Sequence, residues 1–302
     1  MKNIKLLMVF MLLLLTAVVI VGCGASTQSS SYFYAPSWTR GGAIIFTGEL
    51  SSSSKDWWGG QTSASFSQYV RTIYPAGTGE SSSLFDTTSN PPYAMVCSPV
   101  TDYVAYGNDL RSGLYRTIVV RNISTATHTG LEITELAFNP GVKAFDWSND
   151  GTKLVYCTST EVRTININGS ADTLVLADTN LEFVAWQYGG RIAFIRTVSS
   201  VPRLSLIYPD GTGRLDLAAA VSVNYPQVSS SNTSEVFGLS DGGLAKVSNI
   251  DTSPALTVLK ANSNASLPRL SADAKYLTYS KSTESTGIYF FDVTTLAETK
   301  VK

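Results

Sequence analysis

The side chains able to do acid–base or metal chemistry are few, and their spacing argues against most of it. His128 is the only histidine and lies in Ala126-Thr127-His128-Thr129-Gly130, a threonine-rich turn. A nucleophile–histidine–acid triad or a histidine metal cluster needs imidazole at a fixed place among its partners. Gly238-Leu239-Ser240-Asp241-Gly242 matches the Gly-x-Ser-x-Gly pattern. A nucleophile elbow is followed by a helix, whereas Leu244–Ile250 reads as a strand, so Asp241-Gly242-Gly243 is better read as a hairpin turn. Asp150-Gly151 and Asp210-Gly211 lack the close carboxylates of a calcium loop, and they too read as turns. No catalytic residue, metal or cofactor is expected.

Binding residues are more visible. Thr47–Phe66 carries Trp57-Trp58 beside Gly59-Gly60, and it reads as a loop inserted between two strands. Adjacent tryptophans in a thin loop cannot both be buried, and exposed loop aromatics are common binding anchors. The other reading is that they cap the domain or pack on the N-terminal tether.

The elements that would position these residues repeat. Six segments align on two columns. The first holds Trp38, Cys97, Trp147, Trp186, Val228 and Leu270. The second, eight or nine residues later, holds Phe46, Tyr106, Tyr156, Phe194, Phe237 and Tyr279. The clearest copy is Phe145–Tyr156 (F-D-W-S-N-D-G-T-K-L-V-Y), a strand, an Asp-Gly turn and a second strand. A third strand follows each hairpin, as at Tyr69–Tyr74, Tyr115–Arg121 and Ile288–Val293. A fourth closes the unit, as at Thr173–Leu176, Leu256–Leu259 and Thr299–Lys302.

Four antiparallel strands in about 40 residues is the size of a propeller blade. The expected fold is all-β, a six-bladed β-propeller of four-stranded antiparallel blades over 32–302, with the column aromatics packed between blades. The first two blades are long enough to carry insertions. Ring closure is open between a strand at Ser31–Tyr34 and the C-terminal strand. In this register Trp57, Trp58, Tyr34, Tyr93, Lys143, Glu182 and Tyr225 gather at one mouth, and Asp146 and Arg269 line the central channel.

The first residues carry an address. Lys2 and Lys5 precede an apolar run from Leu6 to Val21, then Gly22-Cys23, the layout of a secretory signal. Ile20-Val21-Gly22-Cys23 resembles a bacterial lipobox. That resemblance implies a lipoprotein signal peptide over 1–22, cleavage before Cys23 and a lipid on its thiol. A transmembrane helix is the other reading of the apolar run. Residues 23–31 then form an acylated cysteine and a serine-rich tether, and Gly24 resembles an outer-membrane rather than an inner-membrane destination. Removing residues 1–22 takes Lys2 and Lys5, and no acid, from 22 basic and 23 acidic side chains, leaving a net charge near −3. So balanced a chain has no footprint for nucleic acid. An oxidising envelope would permit a Cys97–Cys157 bridge, but both cysteines read better as small buried hydrophobes.

Ser37-Trp38-Thr39-Arg40-Gly41-Gly42, Trp147–Tyr156 and Pro209-Asp210-Gly211-Thr212-Gly213 resemble the WD40-like (PD40) repeats of the TolB-type propeller family. The resemblance covers nearly all of 32–302 and lacks the family's additional N-terminal α/β domain; Val228–Phe237 is its most degenerate copy. Taken with the lipobox, the propeller reading leads to the expectation of a lipid-anchored protein at the bacterial cell envelope, facing the periplasm or the outer surface, that binds an envelope protein or peptide at the loop face without catalysis. A glycan- or peptidoglycan-binding protein is the second reading and a periplasmic enzyme the third.

Overall fold

A computed structural model describes all residues except 1–25, 56–60, 82–83, 87–93, 112–113, 124–132, 188, 220–222, 229–233 and 282–283. The described chain forms six four-stranded antiparallel sheets, each made of four consecutive strands. The first strands are β1 (Ser26–Trp38), β5 (Met95–Cys97), β9 (Ala144–Trp147), β13 (Leu181–Trp186), β17 (Asn224–Val228) and β21 (Ala265–Leu270). Neighbours β5 and β9, β9 and β13, β13 and β17, and β17 and β21 touch one another, so they form the inner wall. This is a six-bladed β-propeller, as the repeats require. No α-helix occurs among the described residues, and none of their segments is a helix long and apolar enough to cross a membrane.

The chain divides into two compact units. The larger comprises 32–48 and 68–302 and carries the six blades; the smaller contains 26–31, 49–55 and 61–67. Two expectations change here. The segment read as a tether enters β1 from Ser26. The insertion read as the loop Thr47–Phe66 is mostly strand, because β2 runs Ile44–Lys55 and β3 Gln61–Ile73. Its serine- and threonine-rich sequence supports an extended hairpin, since threonine is a good strand former and Ser52 and Ser65 pair their hydroxyls at 2.7 Å. Trp57 and Trp58 lie outside the described residues.

Each blade has two faces to cover, and six apolar clusters do so, one at every seam. Ile45 and Val70 of the first blade meet Val104 and Tyr106 of the second. Ala105 and Ile118 meet Trp147 and Tyr156, and Val155 and Cys157 meet Phe194. Ala193 and Leu206 meet Val236 and Val247, and Phe237 and Leu244 meet Leu277 and Tyr279. The last seam joins Ile288 and Val301 to Trp38 and Phe46. The ring therefore closes by side-chain packing, with the C-terminal strand β24 (Glu298–Lys300) completing the sixth blade.

The second column holds in five blades. Phe46, Tyr106, Tyr156, Phe194 and Tyr279 are buried and face the preceding blade. Blade five is a correction. Val228 pairs with Val236 and Gln227 with Phe237, whereas Trp147 pairs with Leu154 and Phe145 with Tyr156. Phe237 is thus one residue out of register and packs on blade six instead, since successive strand residues point to opposite faces. The longer link in place of an Asp-Gly turn accounts for the slip.

The turns use their own polar groups. Ser148 Oγ donates to Asp150 Oδ1 at 2.6 Å, and Thr152 donates to the same oxygen from its amide and hydroxyl. Gly151 has φ +68°, which glycine adopts without a side-chain penalty. Thr212 treats Asp210 in the same way. Ser240 ends β18 (Val236–Ser240), and Asp241 and Gly242 turn directly into β19 (Gly243–Ser248). The Gly-x-Ser-x-Gly match is a hairpin, as expected.

Candidate functional site: the central channel

Asp146 of blade three and Arg269 of blade six, opposite each other in the ring, line one cavity at the inner wall. The sequence treats them alike, but they do different work.

Asp146 ties blades together. Its Oδ1 accepts from the Trp147 amide and its Oδ2 from the Trp186 amide of the next blade, both at 2.9 Å. Ser37 does the same for blades one and two, where its Oγ accepts from the Cys97 amide at 3.2 Å. Indoles make the complementary link backwards. Trp147 Nε1 donates to the Val96 carbonyl at 2.8 Å, and Trp38 Nε1 donates to the Arg269 carbonyl at 3.2 Å. One clasp, built from the first column and the residue before it, recurs between blades that adjoin in sequence and at the seam where the ring closes. Burial raises the Asp146 carboxyl above its ordinary value, while Arg269 and the two amides hold it back down.

Asp146→Asn aims an amide NH2 at one of the two backbone donors, and is expected to destabilise by about 1–3 kcal/mol at pH 7, read from urea unfolding. Because the carboxyl's folded pKa is raised, the folded protein binds its proton more tightly than the unfolded chain does. Wild type therefore gains stability as pH falls through the folded pKa, and the gain is complete below the ordinary carboxylate value. Asparagine does not titrate, so the difference between wild type and variant should widen over that window. A variant as stable as wild type at pH 7 would remove the clasp assignment.

Arg269 is common to two cavities. One, about 90 Å³, opens among the turns between first and second strands, with Asp146, Cys97 and Trp186 in its wall. The other, about 50 Å³, opens where the first strands begin, with Tyr115, Lys143, Phe183 and Tyr225 around it. Burial lowers the Arg269 guanidinium from its ordinary value, and Asp146 and Tyr115 push it back up. The ring of Tyr115 stands edge-on to Phe145, and Phe183 lies 4.2 Å from Tyr225 between ring centroids.

Of the expected mouth residues, the structure brings Lys143 and Tyr225 together with Arg269. Glu182 is not in that wall; its Oε1 accepts from Thr197 Oγ1 at 2.6 Å. Tyr34 lies in β1, with no side-chain position described, and Tyr93 is outside the described residues. Cys23 and His128 are outside them as well. Cys97 and Cys157 are free, buried thiols, each pushed up to about 12 by burial.

Tyr115 and Phe183 were missed from the sequence, and so were the kinks that shape the wall. Ala35, Tyr225 and Leu267 each stand three residues before the first column, each precedes proline, and each has φ near +50°. In β17 and β21 the register jumps across that pair. Proline withholds an N–H from the ladder, and a bulge there re-aims the next side chain. The recurring Ala35-Pro36-Ser37-Trp38, Tyr225-Pro226-Gln227-Val228 and Leu267-Pro268-Arg269-Leu270 was the signal available.

Fold and channel define the class, a six-bladed β-propeller with a partitioned central channel. No family model matches the chain, and no curated protein matches it. Solved structures do. A chain of the nidogen/laminin complex is 12% identical, with TM-score 0.59, covering 90% of this chain and 92% of that one. TolB from Acinetobacter baumannii is 10% identical, with TM-score 0.59, over 83% of this chain and 75% of that one. Streptogramin B lyase is 9% identical, with TM-score 0.52, over 91% and 86%. At these identities the likeness is one of fold.

Proposed function

We propose that this protein is a non-catalytic binding or scaffold module of the bacterial cell envelope. In this reading it is anchored by a lipid on Cys23 and holds a protein or peptide partner at the face where the first strands begin. The observation that carries the reading is the use made of Asp146. It is the one carboxylate among the described residues of the two cavity walls, and both of its oxygens are engaged by backbone amides of the clasp. An acid–base pair would need a carboxylate free to exchange a proton with a substrate. The face itself carries Lys143 and Tyr225 and opens toward Arg269. One neighbour of the same fold was solved as a complex of two proteins, while the lyase shows that propellers also host chemistry.

The test is affinity capture from envelope extract by the full chain in detergent, comparing wild type with Lys143→Glu and with Trp57→Ala/Trp58→Ala. A specific protein held by wild type and lost with Lys143→Glu is the expected result; loss with the tryptophan pair would extend the face to the first blade. Identical captures by all three forms would refute the proposed face. Binding to a glycan array in place of any protein would move the reading to a glycan binder.

A further inference from the structure

We propose that the cavity beneath Lys143 and Tyr225 is a carboxylate-binding site, with the Arg269 guanidinium as its anion receptor. The proposal rests on the binding reading above and names the chemistry that this face accepts.

Arg269 is the one cation at a ring position that elsewhere holds Ser37, Val96, Asp146, Ala185 and Gln227. Where Ser37 and Asp146 accept an amide from the next blade, arginine has only donors. Its guanidinium makes no hydrogen bond with a described residue, while the carbonyl of the same residue accepts from the Trp38 indole. Asp146 faces it across the channel, yet that carboxylate already serves two amides. Arg269 is only partly buried and none of its nitrogens is a buried, unpartnered donor, so solvent in the cavity serves the guanidinium and a ligand can take that solvent's place. An incoming carboxylate can accept two parallel charge-assisted hydrogen bonds from the guanidinium, a geometry that arginine presents and lysine does not.

The wall fits the rest of such a ligand. Phe145, Phe183, Leu267 and Pro268 supply apolar surface between Arg269 and the mouth, and Tyr115 adds a ring beside the guanidinium. Lys143 stands in the same wall as a second cation. Glu182, the nearby acid, accepts the Thr197 hydroxyl and lies outside the wall. About 50 Å³ is room for roughly three to five waters at ~10–15 Å³ each, the size of a carboxylate on a short apolar stem. The strained Tyr225-Pro226 and Leu267-Pro268 kinks flank this cavity and set the direction of Gln227 and Arg269. Backbone strain of that sort gathers at ligand-holding sites.

A carboxylate of this size belongs either to a small free acid or to the end of a peptide, and the test separates them. Binding of benzoate and of its uncharged isostere benzamide to the full chain in detergent would be followed by saturation-transfer NMR. Free-acid and C-terminally amidated forms of one short apolar peptide would be compared in parallel. Benzoate is expected to bind and benzamide not, with Arg269→Gln weakening benzoate at least tenfold and Arg269→Lys only severalfold. A free-acid peptide that outbinds its amidated form tenfold assigns the source to a chain terminus. Equal binding of the two peptides beside selective benzoate binding assigns it to a small acid.

Equal binding of benzoate and benzamide to wild type, or binding of neither acid nor peptide, overturns the site without any variant having to fold. So does undiminished benzoate binding by a folded Arg269→Gln. Protein capture that depends on Lys143 but not on Arg269 would leave the scaffold reading standing while the carboxylate site falls.

Discussion

Trp147→Ala is expected to lower the unfolding free energy by about 3–5 kcal/mol in urea melts, the range for deleting a buried tryptophan. The indole is 2% exposed and packs where blades two and three meet, among Val96, Ala105, Ile118 and Tyr156. It also carries the 2.8 Å bond to the Val96 carbonyl. The variant therefore loses apolar burial and leaves an acceptor without its donor. Trp147→Phe separates the two, since it keeps most of the ring volume and is expected to cost about 1–3 kcal/mol from the stranded carbonyl. Trp186 occupies the same repeat position but is only half-buried, at the wall of the larger cavity. Trp186→Ala should cost clearly less. Equal losses at the two positions would show that the indole clasp adds nothing beyond apolar burial.

The ring could be read from residues because its repeat is carried by large side chains with one job. An aromatic that must fill the gap to the preceding blade recurs at fixed spacing, so Phe46, Tyr106, Tyr156, Phe194 and Tyr279 announce five seams. Blade five escaped because its turn sequence is longer and β pairing has period two, so Phe237 was matched to a position that faces the other way. The insertion in blade one was misread for a different reason. A run of small polar residues such as Ser51-Ser52-Ser53-Ser54 reads as loop by composition, whereas pairing with the opposite strand decides its conformation.

The channel was half legible. The register singled out Asp146 and Arg269, but nothing in the residue types says that one is consumed by two amides and the other is left facing the cavity. That difference comes from which backbone N–H the next blade presents, a property of the assembled ring. Tyr115 reaches the cavity from the third strand of blade two, far from the first-strand positions that the repeat singles out. The proline kinks, by contrast, were visible and unread. Three X-Pro pairs at one phase of a repeat mark strands that cannot pair continuously.

Trp38→Ala is expected to cost about as much as the Trp147 substitution, ~3–5 kcal/mol, but to change where the molecule opens. Trp38 packs on Tyr276 and Phe290 of the last blade, at 6.0 and 6.4 Å between centroids, and its indole bonds Arg269 across a sequence separation of 231 residues. Five seams are flanked by blades that the chain itself links. The sixth has no such link, and no strand is exchanged across it. Besides the apolar cluster around Phe46, Ile73, Ile288 and Val301, it is spanned by Lys302, which pairs with Glu80 and lies over the Phe33 ring, contacts that are partly exposed and so worth little. Loosening this seam lets blades one and six part, whereas blades two and three stay tethered after Trp147 is lost. Amide exchange should show it: in Trp38→Ala, protection falls first in β22 (Tyr276–Lys281), β23 (Glu284–Asp292) and the Ile44–Phe46 segment of β2, while β10 (Lys153–Cys157) and β14 (Ile192–Val198) keep theirs. A loss spread evenly over all six blades would mean that the ring unfolds as one unit and that the closing seam is no weaker than the rest.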